Sequence, residues 1–67
     1  MRPVIGIPSR LLTVDGLVRS TMATTYTRAL DRVGGAPILI PLQLGEDSLR
    51  AILARLDGIL LAGGVDV

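Results

Sequence analysis

The sequence predicts a parallel α/β fold with the element order β-α-β-α-β. Three observations predict it: three short apolar runs rich in branched side chains, two segments whose apolar residues repeat with helical spacing, and short connections between them. The chain has 67 residues, of which 49% are hydrophobic. That much apolar surface suits strands buried on both faces, as parallel strands are. Three strands and two helices cannot cover a whole sheet, so we expect an incomplete, amino-terminal part of a larger domain.

The first strand is predicted at Pro3 to Pro8, which reads PVIGIP. Its place at the start of the chain and its apolar character predict a central strand that is buried on both faces. The connection over residues 9–21 contains Asp15-Gly16 between apolar stretches, a pair typical of β-hairpins. A small β-flap and a simple loop both remain open there. In either case the connection leaves the carboxyl end of the strand, where open α/β sheets bind ligands.

The first helix is predicted over Met22 to Val33. Its apolar residues share one helical face and are Met22, Ala23, Tyr26, Ala29, Leu30 and Val33. Ser20 or Thr21 is expected to cap the start of this helix. Gly34-Gly35 is expected to end it, because glycine adopts positive φ without steric cost.

The second strand is predicted over Pro37 to Leu42, which reads PILIPL. We expect the two prolines to bound it, because proline cannot donate a hydrogen bond in mid-strand. The second helix is predicted over Ser48 to Leu56, with four large apolar residues on one face and Asp47 or Ser48 as its cap. The third strand is predicted over Asp57 to Leu61 and leads into residues 62–67.

Charge and composition exclude several kinds of site. The net charge is +1, so there is no electrostatic argument for binding nucleic acid or a membrane. The 67 residues contain no Cys and no His, which removes disulfides, thiolate metal sites and the usual general base. The first apolar run is too short for a signal peptide or a membrane span. We therefore expect a cytoplasmic protein without a metal or a cofactor.

The most site-like feature is Gly63-Gly64, directly after the third strand. Glycines let a ligand approach main-chain N–H groups closely, and such groups bind phosphate or stabilise an oxyanion. An ordinary turn explains the same pair, and the spacing alone leaves both interpretations open. Arg10, just past the first strand, is either a solvated side chain or an anion-binding one. Tyr26, the single aromatic residue, either packs in the core or reaches a ligand with its hydroxyl.

Three segments together carry a family resemblance: PVIGIP, TYTRALDRVGGAPILIPL and LDGILLAGGVDV. They resemble the amino-terminal part of the gamma-glutamyl hydrolases of the class I glutamine amidotransferase superfamily, and most closely the gamma-glutamyl-gamma-aminobutyrate hydrolases. The resemblance implies a flavodoxin-like domain with a Cys-His-Glu or Cys-His-Asp triad. None of the triad positions lies within residues 1–67. We therefore expect a partial class I glutamine amidotransferase-like domain that lacks its catalytic half and is inactive by itself.

The resemblance also implies one functional position in this chain. The glycine turn after the third strand supplies a main-chain N–H to the oxyanion hole, so Gly64 is the expected donor and Gly63 the turn. The family often has Pro before these glycines, where this sequence has Ala62, and the donor geometry is open to that extent. The implied reaction is hydrolysis of a gamma-glutamyl amide through a thioester. The implied partners are a small gamma-glutamyl substrate and the remainder of the domain, with a homo-oligomer as a further option.

Two alternatives stay open. A glutaminase domain that delivers ammonia to a synthase would share the same residues. A non-enzymatic binding domain, such as the sugar-binding domains of repressors and periplasmic receptors, also begins β-α-β-α-β. It would not be expected to carry Pro37, Pro41 or the Gly63-Gly64 turn. A Gly-x-Cys-x-Gly-like elbow after a fourth strand would favour the hydrolase.

Overall fold

A computed structural model describes residues 1–61 as a three-stranded parallel sheet with two helices and a separate two-stranded hairpin. The elements are β1 (Val4–Pro8), β2 (Arg10–Val14), β3 (Leu17–Thr21), α1 (Thr24–Arg32), β4 (Ala36–Ile40), α2 (Glu46–Leu53) and β5 (Gly58–Ile59). The parallel sheet has the order β4-β1-β5, so β1 is the central strand. The predicted α/β class and the central position of the first strand are confirmed.

The two faces of β1 contact different layers. A Cβ added at Gly35 would lie 3.4 Å from Cγ1 of Ile5 and 3.4 Å from the carbonyl oxygen of Leu30, so Ile5 and the end of α1 share one face. A Cβ added at Gly6 would lie 2.5 Å from Cδ1 of both Ile40 and Leu56 on the other face. The helical connections therefore cover opposite faces, as right-handed crossovers to strands on either side of β1 require.

The centre of the core is small. Ile7 is 0% exposed and Ile40 is 1% exposed, and they are the fully buried large side chains among residues 1–61. Several large apolar residues of the sheet and its connections are exposed, namely Val33, Ile38, Leu39, Leu42, Leu53, Ile59 and Leu61. Much of the apolar surface that the sequence places on these elements is thus uncovered within residues 1–61.

Pro37 does not bound its strand as predicted but is the second residue of β4. The N–H of Ala36 donates to the carbonyl of Pro3, and the carbonyl of Ile40 accepts from the N–H of Ser9. The backbone N–H and C=O groups of the even-numbered residues of β4 therefore point toward β1. The backbone N–H and C=O groups of the odd-numbered residues point toward the opposite, outer edge of the sheet. The strand accommodates Pro37 because its missing N–H falls on that outer edge, where no ladder bond of the described sheet is lost.

Helix α1 begins later than predicted and without the predicted cap. Ser20 and Thr21 belong to β3, and the N-cap is Ala23, which makes no side-chain capping bond. Gly34 follows the helix with a φ of 97°, the conformation for which a glycine was predicted there.

Helix α2 begins at Glu46 rather than Ser48, with Gly45 at the N-cap and no side-chain capping bond. Glu46 and Asp47 therefore lie in the first turn, where the helix dipole favours negative charge. The predicted capping by Asp47 or Ser48 is wrong, because both lie inside the helix. Within residues 1–61 neither helix is long and apolar enough to cross a membrane.

Strand β5 is held to β1 by Asp57. The backbone N–H of Asp57 donates to the carbonyl of Val4 over 2.8 Å, and Oδ2 of Asp57 accepts from the N–H of Val4 over 2.8 Å. Further along, the N–H of Leu60 donates to the carbonyl of Gly6 over 2.9 Å. The aspartate side chain thus supplies a bond that the two-residue strand could not make alone.

The connection after β1 is a hairpin, so the flap interpretation is confirmed. Asp15 and Gly16 have φ angles of 52° and 75°. A type I′ turn requires positive φ at both central residues, and its twist matches that of the flanking strands. Val14 and Leu17 are the register partners next to this turn.

Candidate functional site

A cleft of about 270 Å³ lies where the hairpin meets the start of α1. Its lining residues are Arg10, Leu11, Leu12, Thr21, Met22, Ala23 and Tyr26. Arg10 lies two residues after the end of the central strand β1. The cleft is therefore beside the carboxyl edge of the parallel sheet, which is where the sequence predicted a ligand to bind.

The structure brings two predicted ligand-binding candidates together. Arg10 lines the cleft from β2 and Tyr26 lines it from the first turn of α1. Tyr26 is 37% exposed, so it is not packed in the core of the described residues, which was the alternative interpretation. The participation of Arg10 and Tyr26 in substrate binding stays a prediction.

The charged side chain that lines the cleft is the cation Arg10. Among residues 1–61 the ion pairs join Arg2 to Asp31 over 2.7 Å and Arg50 to Glu46, so Arg10 has no carboxylate partner there. The N-cap of α1 also lines the cleft, and the first turn of that helix has no acidic residue. Unpaired N–H groups at a helix start carry partial positive charge. Both features suit a ligand with a carboxylate.

A pair of serine hydroxyls joins the hairpin to the parallel sheet. Ser9 is 7% exposed, and both its N–H and its Oγ donate to the carbonyl of Ile40 over 3.0 Å. The Oγ atoms of Ser9 and Ser20 are also hydrogen-bonded. Because the Ser9 hydroxyl has one proton and donates it to Ile40, the Ser20 hydroxyl donates to Ser9. Residues at the ends of β1, β4 and β3 are thereby linked beside the cleft.

This serine pair was not predicted from the sequence, which considered Ser20 as a cap of the first helix and assigned no contact between it and Ser9. No local sequence pattern predicts the contact between the two serines, because it depends on how the hairpin docks against the sheet. The one available signal is positional: Ser9 follows the central strand directly, and a polar residue at that point needs a hydrogen-bond partner if it is buried.

The predicted oxyanion-hole turn at Gly63 and Gly64 lies outside the described residues. The described chain reaches Leu61, just after β5, at the carboxyl edge that also holds Ser9 and Arg10. The assignments of Gly64 as an N–H donor and of Gly63 as the turn stay predictions.

Comparison with known proteins gives concordant matches. The family model described as Peptidase C26 matches residues 3–67. The gamma-glutamyl-gamma-aminobutyrate hydrolase PuuD of Escherichia coli (strain K12) is 39% identical over 62 residues, which are 91% of this chain and 24% of that protein. A gamma-glutamyl-gamma-aminobutyrate hydrolase of Shigella flexneri is 38% identical over 60 residues, 88% of this chain and 24% of that protein. The chain thus spans about a quarter of the length of these curated relatives.

Proposed function

Because the chain belongs to the peptidase C26 family, we propose that it forms the amino-terminal part of a cysteine amidohydrolase that cleaves gamma-glutamyl amide bonds. The observation that carries the proposal is the match to that family over residues 3–67. The gamma-glutamyl-gamma-aminobutyrate hydrolases that are 38–39% identical over 60–62 residues support this substrate class.

In the proposed complex the glutamyl group lies in the cleft between the hairpin and α1. A gamma-linked glutamyl group keeps a free α-carboxylate, which needs a cation or several N–H donors. Arg10 offers a planar guanidinium that can bind a carboxylate through two parallel hydrogen bonds. The start of α1 adds partial positive charge on the same side. Tyr26 offers a hydroxyl and an aromatic edge on the opposite wall.

We assign the oxyanion N–H donor to Gly64 and the supporting turn to Gly63. When the nucleophile attacks the amide carbon, negative charge develops on the carbonyl oxygen. A fixed N–H aimed at that oxygen stabilises the transition state by about 3 kcal/mol. The 67 residues contain neither Cys nor His. We therefore expect the 67-residue chain alone to be inactive, with the nucleophile and base supplied from elsewhere in the polypeptide.

The test is a turnover assay on the whole polypeptide that carries these residues. With gamma-glutamyl-gamma-aminobutyrate as the substrate, we expect release of glutamate and γ-aminobutyrate. Arg10→Ala should raise KM about tenfold, because a hydrogen-bonded contact to a charged group is lost. Arg19→Ala is the matched control: it removes an arginine from the same hairpin but not from the cleft lining, and its KM should stay within about twofold.

Two results would contradict the proposal. Absence of turnover by the whole wild-type polypeptide would remove the assigned reaction. Turnover by the isolated 67-residue chain would mean that the nucleophile lies within these residues after all. Faster turnover of glutamine than of gamma-glutamyl amides would favour the glutaminase alternative.

A further inference from the structure

The two residues that flank the serine pair in sequence line the cleft. Arg10 follows Ser9, and Thr21 follows Ser20, and Arg10 and Thr21 are register partners in the hairpin. Side chains alternate between the two faces of a strand. Ser20 is therefore on the face of β3 opposite to that of Thr21, so the hydroxyl that bonds to Ser9 and the Thr21 side chain lie on opposite faces of the hairpin base.

The hydroxyl chain ends on a rigid anchor. Its last acceptor is the carbonyl of Ile40, a residue that is 1% exposed and lies at the end of β4. The N–H of Gly35, directly before β4, donates to the carbonyl of Leu30 over 2.9 Å, which holds the start of β4 to α1. The hairpin forms one wall of the cleft and α1 forms the other. The serine pair thus connects one wall to the element that carries the other.

We propose that Ser9 and Ser20 are positioning residues that dock the hairpin against the sheet and thereby hold Arg10 facing Tyr26 across the cleft. Without the Ser20 hydroxyl the hairpin remains joined to the sheet by the chain at Ser9 and by the backbone bond from Ser9 to Ile40. The hairpin base then gains freedom to tilt, and the guanidinium of Arg10 loses its fixed position. The identity of the bound group, a glutamyl carboxylate, rests on the proposed function.

Ser20→Ala in the whole polypeptide is the direct test. We expect KM for a gamma-glutamyl amide to rise about tenfold, as expected when a binding group is displaced by a fraction of an ångström, while kcat stays within about twofold. Ser20→Thr keeps the hydroxyl in a residue that strands favour and should restore the wild-type KM. Thr13→Ala removes a hydroxyl from the same face of the hairpin, away from Ser9, and should leave KM unchanged.

A double substitution separates positioning from folding. In an Arg10→Ala background, Ser20→Ala should raise KM no further, because the group that it positions is already gone. A wild-type KM in Ser20→Ala would overturn the inference. So would an equal additional rise of KM in the Arg10→Ala background, or a fall in kcat and thermal stability with KM unchanged.

Hydrogen exchange tests the docking without any turnover. In Ser20→Ala we expect the amides of residues 9–12 and 19–21 to exchange several-fold faster than in Thr13→Ala. Equal rates in the two variants would overturn the positioning role. If the whole wild-type polypeptide shows no turnover, the proposed function fails, and the exchange experiment still decides whether the serine pair fixes the hairpin.

Discussion

Gly6→Ala puts a methyl group at the centre of β1, where the structure leaves no space for one. The added Cβ would lie 2.5 Å from Cδ1 of Ile40, 2.5 Å from Cδ1 of Leu56 and 3.2 Å from Cγ1 of Ile40. Carbon atoms that are not bonded prefer separations of about 3.5–4.0 Å. Ile40 is 1% exposed, so its methyl end has little room to move away.

Two opposing terms set the size of the effect. Crowding a packed core typically costs about 1–3 kcal/mol. Replacing glycine by alanine also restricts the unfolded chain, which stabilises the folded state by about 0.4–1 kcal/mol. The net expectation is a loss on the order of 1–2 kcal/mol in the free energy of unfolding. For a protein of roughly 150–250 residues this lowers Tm by about 2–8 °C.

The measurement is reversible thermal unfolding of the whole polypeptide, followed by circular dichroism. Gly58→Ala is the matched control, because its Cβ would meet a single atom, Cδ1 of Ile5, at 3.2 Å. It should cost less than about 1 kcal/mol, since only the flexible end of one side chain must move. Ile40→Val removes one of the two clashing methyl groups and should partly rescue Gly6→Ala, with a coupling of at least about 0.5 kcal/mol.

Two outcomes would refute this reasoning. A Tm for Gly6→Ala equal to or above that of the wild type would mean that the site has room for a methyl group. Strict additivity of Gly6→Ala and Ile40→Val would mean that Ile40 is not what the new methyl group meets.

Other substitutions test the remaining elements. Asp57→Ala removes the acceptor for the N–H of Val4 and should lower the free energy of unfolding by about 1 kcal/mol. Asp57→Asn should cost less, and equal Tm values for the two variants would contradict the hydrogen bond. Gly16→Val places a branched residue at a φ of 75° and should destabilise the hairpin by roughly 1–2 kcal/mol, measured as faster hydrogen exchange of its amides. Unchanged exchange rates would contradict the turn type. Gly45→Ser supplies the missing cap of α2 and should raise stability by a few tenths of a kcal/mol, so a lower Tm would contradict this N-cap assignment.

The order of elements could be predicted because it depends on local patterns. Apolar runs bounded by proline and glycine marked the strands, and helical spacing marked the helices. Gly34 ended α1 as predicted, since its positive φ is a requirement of the backbone itself. The sequence left both a β-flap and a simple loop open at Asp15-Gly16, and the positive φ angles of both residues show that the segment is a hairpin.

The details that failed depend on contacts between distant elements. Ser20 or Thr21 was expected to cap α1, but both residues belong to β3 and pair with β2. Pro37 was expected to bound its strand, yet which edge its missing N–H faces is decided only when β4 pairs with β1. The serine pair needs the ends of three strands to meet. Arg10 and Tyr26 were separate candidates in sequence, and only the docking of the hairpin against the sheet brings them to one cleft.

Pro37 in β4 and Pro41 just after it make the two edges of the sheet chemically unequal. Pro37 falls on an odd-numbered position of β4, whose backbone groups face away from β1, and Pro41 directly follows the strand. A strand approaching that side would meet missing donors four residues apart, so it could not form a regular ladder. The prolines thus disfavour strand pairing at the outer edge of β4 and leave the β5 edge of the sheet as the one at which further strands can pair.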